Sequence, residues 1–158
     1  IERLLELGCD KIVIGNSFIK DSNFIKEIVK SFGSQLIIAS IDTIKINDQH
    51  KIYLNEELNL LEWIKNLQDL GAGEILLTSV KNEGMMCGYD LDLIDFVYNS
   101  IQVPLLVNGG ASNIKDFEEV LKIDKVLGAC ASSIFLFTEI TPNLIKKTVS
   151  KDINLRIT

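Results

Sequence analysis

Val103-Pro104-Leu105-Leu106-Val107 runs without a break into Asn108-Gly109-Gly110-Ala111. A short apolar run that ends in a small, flexible cluster and leads into a helical pattern reads as a buried β-strand feeding a helix. The design repeats on either side. Upstream, Lys11-Ile12-Val13-Ile14 runs into Gly15-Asn16-Ser17, Leu36-Ile37-Ile38-Ala39-Ser40-Ile41 into Asp42, and Glu74-Ile75-Leu76-Leu77 into Thr78-Ser79. Downstream, Lys125-Val126-Leu127-Gly128 runs into Ala129-Cys130-Ala131-Ser132-Ser133. Repeated βα units of this kind build parallel sheets, and their chemistry gathers where the strands end.

The segments between the strands carry helical spacing. Phe24, Ile25, Ile28, Val29 and Phe32 mark a helix over 22–32, stopped by Gly33. Leu58, Leu61, Trp63, Ile64, Leu67 and Leu70 mark another over roughly 57–70. Further helices are expected over 90–100, over 114–122 with Asn113 as cap, near 133–136, and after Thr141-Pro142, where proline suits the first helical position. The second strand is expected to end at Ile41. The stretch 44–55 alternates around Asn47-Asp48 and reads as a hairpin inserted in a βα loop. Residues 80–89, with glycines at 84 and 88, suit a lid over a ligand. The chain opens inside a helical pattern without Met, which suggests the end of a preceding unit and hence a fragment of a longer chain. Cys9–Ser17 and Ile123–Ser133 echo one another, each an Asp-Lys, an apolar strand and a small polar cluster.

For 158 residues a single domain spanning 1–158 is the natural count, and 47% hydrophobic content supports a real core. A net charge of −6 without a basic stripe or aromatic ladder argues against nucleic acid as partner. No apolar run reaches membrane-spanning length. Three cysteines without C-x-x-C spacing read as reduced thiols in a cytoplasmic protein, and a single His50 argues against a metal centre. No Ser-His-Asp set or Walker loop is present, and no cofactor is called for. Five strands cannot close an eight-stranded barrel, so the sheet must pair with further chain, self-associate or stay open.

Asp42 is the sharpest candidate for chemistry, because a carboxylate at a strand's carboxyl end can act as general acid or base. A helix cap or a loop salt bridge is the alternative. Asn108-Gly109-Gly110 lets backbone N–H groups approach an anion, and Ala131-Ser132-Ser133 on the next strand can complete a phosphate cradle. A tight turn requiring positive φ would explain the glycines equally well. Gly15-Asn16-Ser17 offers a second anion site by the same logic, and Thr78-Ser79 lies where a ligand would be covered.

Phe32-Gly33-Ser34-Gln35, Ser40-Ile41-Asp42, Gly71-Ala72-Gly73-Glu74-Ile75-Leu76-Leu77-Thr78-Ser79, Gly84 with Gly88-Tyr89-Asp90, and Gly109-Gly110-Ala111 together resemble the cyclase subunits of imidazole glycerol phosphate synthase, in order and nearly in spacing. The resemblance covers essentially the whole chain and corresponds to the family's last five or so βα units. It implies a (β/α)8 TIM barrel, of which this would be the carboxyl-terminal part. It implies a lyase-type reaction of histidine biosynthesis. Ammonia from a partner glutaminase would act on a ribulosyl aminoimidazole-carboxamide nucleotide to give imidazole glycerol phosphate and the purine precursor AICAR.

Of the family's two catalytic aspartates, Asp42 matches the second, and the first lies on a strand outside this sequence. Gly109, Gly110 and Ala131–Ser133 match one phosphate site, and Gly15 and Asn16 match part of the other. Ser79, Glu83 and Asn108 fall at substrate-facing positions. Lys11 and Glu74 match a charged gate for ammonia at the barrel's amino end, or make a plain salt bridge there. Lys81, Glu83, Met85 and Asn108 depart from the usual residues. The loop Gly84-Met85-Met86 is similar to a related branch, encoded with surface-polysaccharide genes, that supplies ammonia for amidination of a sugar. That branch is the alternative reading, and an inactive, self-associating barrel fragment is another.

Overall fold

A computed structural model describes residues 1–15 and 22–149. A short helix α1 (Glu2–Glu6) precedes β1 (Ile12–Ile14). Then come α2 (Ser22–Phe32), β2 (Ile37–Ile46), β3 (Gln49–Ile52) and α3 (Leu60–Asp69). The order continues with β4 (Glu74–Ser79), α4 (Leu91–Val97), β5 (Leu105–Asn108) and α5 (Ile114–Leu121). The last described elements are β6 (Val126–Cys130), α6 (Ser133–Phe137) and α7 (Pro142–Val149).

The sheet runs β1-β2-β4-β5-β6, all parallel, with β3 antiparallel on β2. Each parallel strand adds beside its predecessor in one direction. Right-handed crossovers then place every connecting helix on the same face of the sheet. A doubly wound fold reverses its strand order and covers both faces, which this sheet does not do. This is the arrangement of consecutive units of a (β/α)8 barrel.

Burial follows that geometry. Ile37, Ala39, Ile41, Ile75, Leu77, Leu105 and Val107 point into the helical layer and are sealed there by Ile25, Ile64, Leu67, Val97 and Val120. Each such Ile or Leu contributes about 1.5–3 kcal/mol by leaving water. The residues between them in sequence face the other way, where no described helix lies. Val13 is 54% exposed, Asp42 is exposed, and Ser40, Leu76 and Leu106 are half-buried.

Three boundaries differ from the sequence reading. β2 does not stop at Ile41 but continues to Ile46, because Thr43, Ile44 and Ile46 are β-branched and both edges find partners. The Thr43 carbonyl accepts from Val80 N–H at 2.9 Å on the β4 side, and the Asp42 carbonyl accepts from Tyr53 N–H at 2.8 Å on the other. The expected hairpin is there, with Asn47 and Asp48 at φ 48° and 59° in the left-handed region that such two-residue turns require. The helix expected from about residue 57 starts at Leu60, because the Asn59 side chain accepts from Leu61 and Glu62 N–H and sets the cap. The helix expected over 90–100 ends at Val97 and tightens into a 3-10 turn over Tyr98–Ser100.

Candidate functional site

Register across the parallel strands lines up one row of residues. Asp42 pairs with Thr78, Thr78 with Asn108, and Asn108 with Cys130. Directly paired residues share a face, so the row stands on the side of the sheet away from the helices. The Asn108 side-chain amide donates to Thr78 Oγ1 at 3.4 Å and to Glu83 Oε2 at 3.1 Å. Asp42 lies inside a strand and cannot be a helix cap. Among the described residues its carboxylate has no ion-pair or hydrogen-bond partner. The helix-cap reading of Asp42 is therefore excluded. Burial, and then the nearby Glu83 carboxylate, push the Cys130 thiol up, which makes it a poor nucleophile.

The row ends beside the glycine turn. Gly109 and Gly110 have φ of 103° and 104°, conformations that L side chains rarely adopt. A Cβ on Gly109 would sit 2.7 Å from the Ser79 carbonyl oxygen, and one on Gly110 would sit 2.0 Å from that of Gly88. The turn reading of these glycines therefore holds. The backbone of the 80–89 loop packs directly on them, with Gly88 N–H donating to the Gly110 carbonyl at 2.8 Å. The same turn opens onto a small cleft lined by Glu83, Gly84, Gly109, Gly110, Ser132 and Ser133. Among the described residues, no turn, loop or cap hydrogen bond runs from the backbone N–H of Gly110, Ser132 or Ser133. Those donors are what an anion would need. The loop is pinned on its far side by Tyr89, whose buried hydroxyl donates to the Cys130 carbonyl at 2.9 Å.

The structure separates the other candidates. Ser79 is buried on the helical side, where its hydroxyl donates to Asp90 Oδ2 at 2.8 Å, while Asp90 Oδ1 caps α4 through Leu93 N–H. Its side chain serves the helix cap, not the row. Thr78, the neighbour, is the member of that pair standing in the row. Counting by twos from Glu74 would have found it, since Glu74, Leu76 and Thr78 share a face. Gly15 follows β1, and among the described residues nothing lies within 4 Å of where its Cβ would be; Asn16 lies outside the described residues. Lys11 and Glu74 form an ion pair at 2.7 Å at the amino ends of the strands, with the Lys11 ammonium also donating to the Gln35 carbonyl at 3.1 Å. Four residues of strand put this pair about 13 Å from Thr78. Among the described residues no group of three or more His, Cys, Asp or Glu could hold a metal ion. No described helix is long and apolar enough to cross a membrane.

Residues 1–141 match the family model described as histidine biosynthesis protein. The chain belongs to this family. Several curated members of it are named imidazole glycerol phosphate synthase subunit HisF. One, from a Hydrogenobaculum species, is 35% identical over 99% of this chain and 65% of its own length. Another, from Natranaerobius thermophilus, is 36% identical with the same coverage, and one from Campylobacter concisus is 37% identical over 93% of this chain and 60% of its own length. The chain thus spans somewhat under two thirds of these histidine biosynthesis proteins. The match extends over β1 to β6 and so takes in Asp42, the row and the glycine turn.

Proposed function

We propose that this chain carries a reaction centre of an ammonia-using cyclase that makes imidazole glycerol phosphate and AICAR from a ribulosyl aminoimidazole-carboxamide nucleotide. The observation that carries the reading is the Asp42 carboxylate, without a partner among the described residues, in one row with Thr78 and Asn108 that ends at the glycine turn. The substrate's phosphate rests on the N–H groups of Gly110, Ser132 and Ser133, at the turn that Gly109 opens. Two strand spacings, about 10 Å, separate that end from Asp42, within reach of a phosphorylated five-carbon sugar. Ammonia adds to the carbonyl carbon beside Asp42; the carboxylate accepts a proton from the incoming nitrogen and returns it to the carbonyl oxygen, which leaves as water. The new nitrogen then closes the imidazole on the carbon that joins the two halves of the substrate, and the bond from that carbon to the aminoimidazole nitrogen breaks as this nitrogen takes up a proton and leaves as AICAR. Asn108 and Thr78 orient the hydroxyls between. Gly15 and Asn16 belong to the site for the second phosphate.

Ammonia itself comes from a glutaminase partner docked at the amino ends of the strands, where Lys11 and Glu74 form the gate. The complete protein, including a second aspartate outside these residues, is the catalytic species, and the 158 residues alone are inactive. The reading is tested by ammonium-dependent turnover of the imidazole nucleotide by the complete protein at high pH. Imidazole glycerol phosphate is the expected product. A folded barrel that binds phosphate esters but yields none would overturn the reading and favour the sugar-amidinating branch.

A further inference from the structure

Beyond Asp42, β2 turns at Asn47-Asp48 and comes back as β3, with Thr43 opposite Ile52. One step further the Tyr53 N–H donates to the Asp42 carbonyl at 2.8 Å, which sets Tyr53 opposite Asp42. Thr43 and Ile52 are both buried on the helical side. Alternation therefore puts Tyr53 and Asp42 together on the open face, with side-chain origins about 5 Å apart. Tyr53 is 38% exposed, and among the described residues neither its hydroxyl nor its ring has a partner. The next residue, Leu54, takes φ 62° and turns the chain away, so Tyr53 is the last rung of the ladder. The hairpin that carries it is docked: Lys45 pairs with Asp92 of α4 at 3.2 Å, and the His50 ring lies 5.2 Å from that of Phe96.

We propose that Tyr53 is a specificity-determining residue that stacks on the planar heterocycle of the phosphorylated substrate where it passes Asp42. The inference rests on the cyclase reading above and adds a binding group to it. The row gives the reason. With phosphate at the turn after β5 and the reacting carbon over β2, the substrate's remaining portion lies one strand spacing beyond, over β3. Tyr53 is the side chain the hairpin presents there. A phenol face takes a flat ring in offset stacking, and its hydroxyl remains free to donate.

The test uses the complete protein with Tyr53→Ala and Tyr53→Phe, and calorimetric binding of AICAR beside ribose 5-phosphate, which lacks the heterocycle. Tyr53→Ala is expected to weaken AICAR binding about tenfold and leave ribose 5-phosphate within twofold, while Tyr53→Phe stays near wild type. In turnover, Tyr53→Ala raises KM with kcat little changed. Equal weakening of both ligands, or of neither, overturns the proposal. An AICAR-selective loss in Tyr53→Ala, with wild-type protein that makes no imidazole glycerol phosphate, would overturn the cyclase reading and leave the Tyr53 contact standing. Wild-type protein that binds neither ligand overturns both.

Discussion

Asp42 and Gly110 illustrate two ways a residue can matter. Asp42 is exposed, without a partner among the described residues and at home in a strand, so Asp42→Asn should change the unfolding free energy from urea titration by no more than about 0.5 kcal/mol. In the complete protein it should lower ammonium-dependent kcat by about 10²–10⁴-fold. Near-full turnover would remove Asp42 from the mechanism. Gly110 is the reverse case. Gly110→Ala forces a side chain to φ 104° and against the Gly88 carbonyl, costing about 1–3 kcal/mol in strain or more. Gly15→Ala, without positive φ and with no neighbour within 4 Å among the described residues, should be neutral in the same urea titration. The sequence made Asp42 legible because a lone carboxylate follows six residues of strand. Between Thr78 and Ser79, both small hydroxyls, composition does not choose; the parity of the strand counted from Glu74 does, and the register with Asp42 bears it out.

At the scale of elements, all five parallel strands and the hairpin were readable, because apolar runs and the Asn47-Asp48 turn are local signals. What was not readable was that β2 and the hairpin are one continuous strand. Asp42 looked like a terminator, yet its backbone bonds to β3 as any strand residue does. One helix start was misplaced by a few residues, that of α3, since a cap is decided by which side chain reaches the free N–H groups, as Asn59 does. The hairpin turn is open to improvement. Asp48 sits at φ 59°, so Asp48→Gly should raise stability by a few tenths to about 1 kcal/mol, seen as a higher thermal midpoint. The Asn113–Asp116 capping box of α5 makes the opposite prediction: Asn113→Ala should cost about 1 kcal/mol in the same assay.

For the whole molecule, the strand order decides which face carries chemistry, and two measurements probe how its ends are tied. Burial holds the Tyr89 phenol well above its ordinary value of 10.0, so the native state keeps a proton that the unfolded chain releases from about pH 10 upward. The stability this hydroxyl confers is complete below pH 10 and declines as pH rises past it. Tyr89→Phe, which loses the bond to the Cys130 carbonyl, should cost about 1 kcal/mol at pH 7. That deficit should shrink between pH 10 and 11 in urea titrations, and a constant deficit would refute the assignment. At the amino ends, Glu74→Gln breaks the pair with Lys11. If the pair gates ammonia, glutamine-driven turnover with the glutaminase should fall more than ammonium-driven turnover, whereas a plain salt bridge would change both alike.

The alternation along β2, β4 and β5 has a consequence for how such a protein can change. Ile41, Leu77 and Val107 hold the helices, while Asp42, Thr78 and Asn108, their immediate neighbours in sequence, hold none of them. Inheritance can therefore rewrite every second letter of these strands and alter the acceptor while leaving the helix-facing core alone. A library randomised at Ser40, Leu76, Thr78, Leu106 and Asn108 should consist mostly of folded proteins that differ in what they recognise.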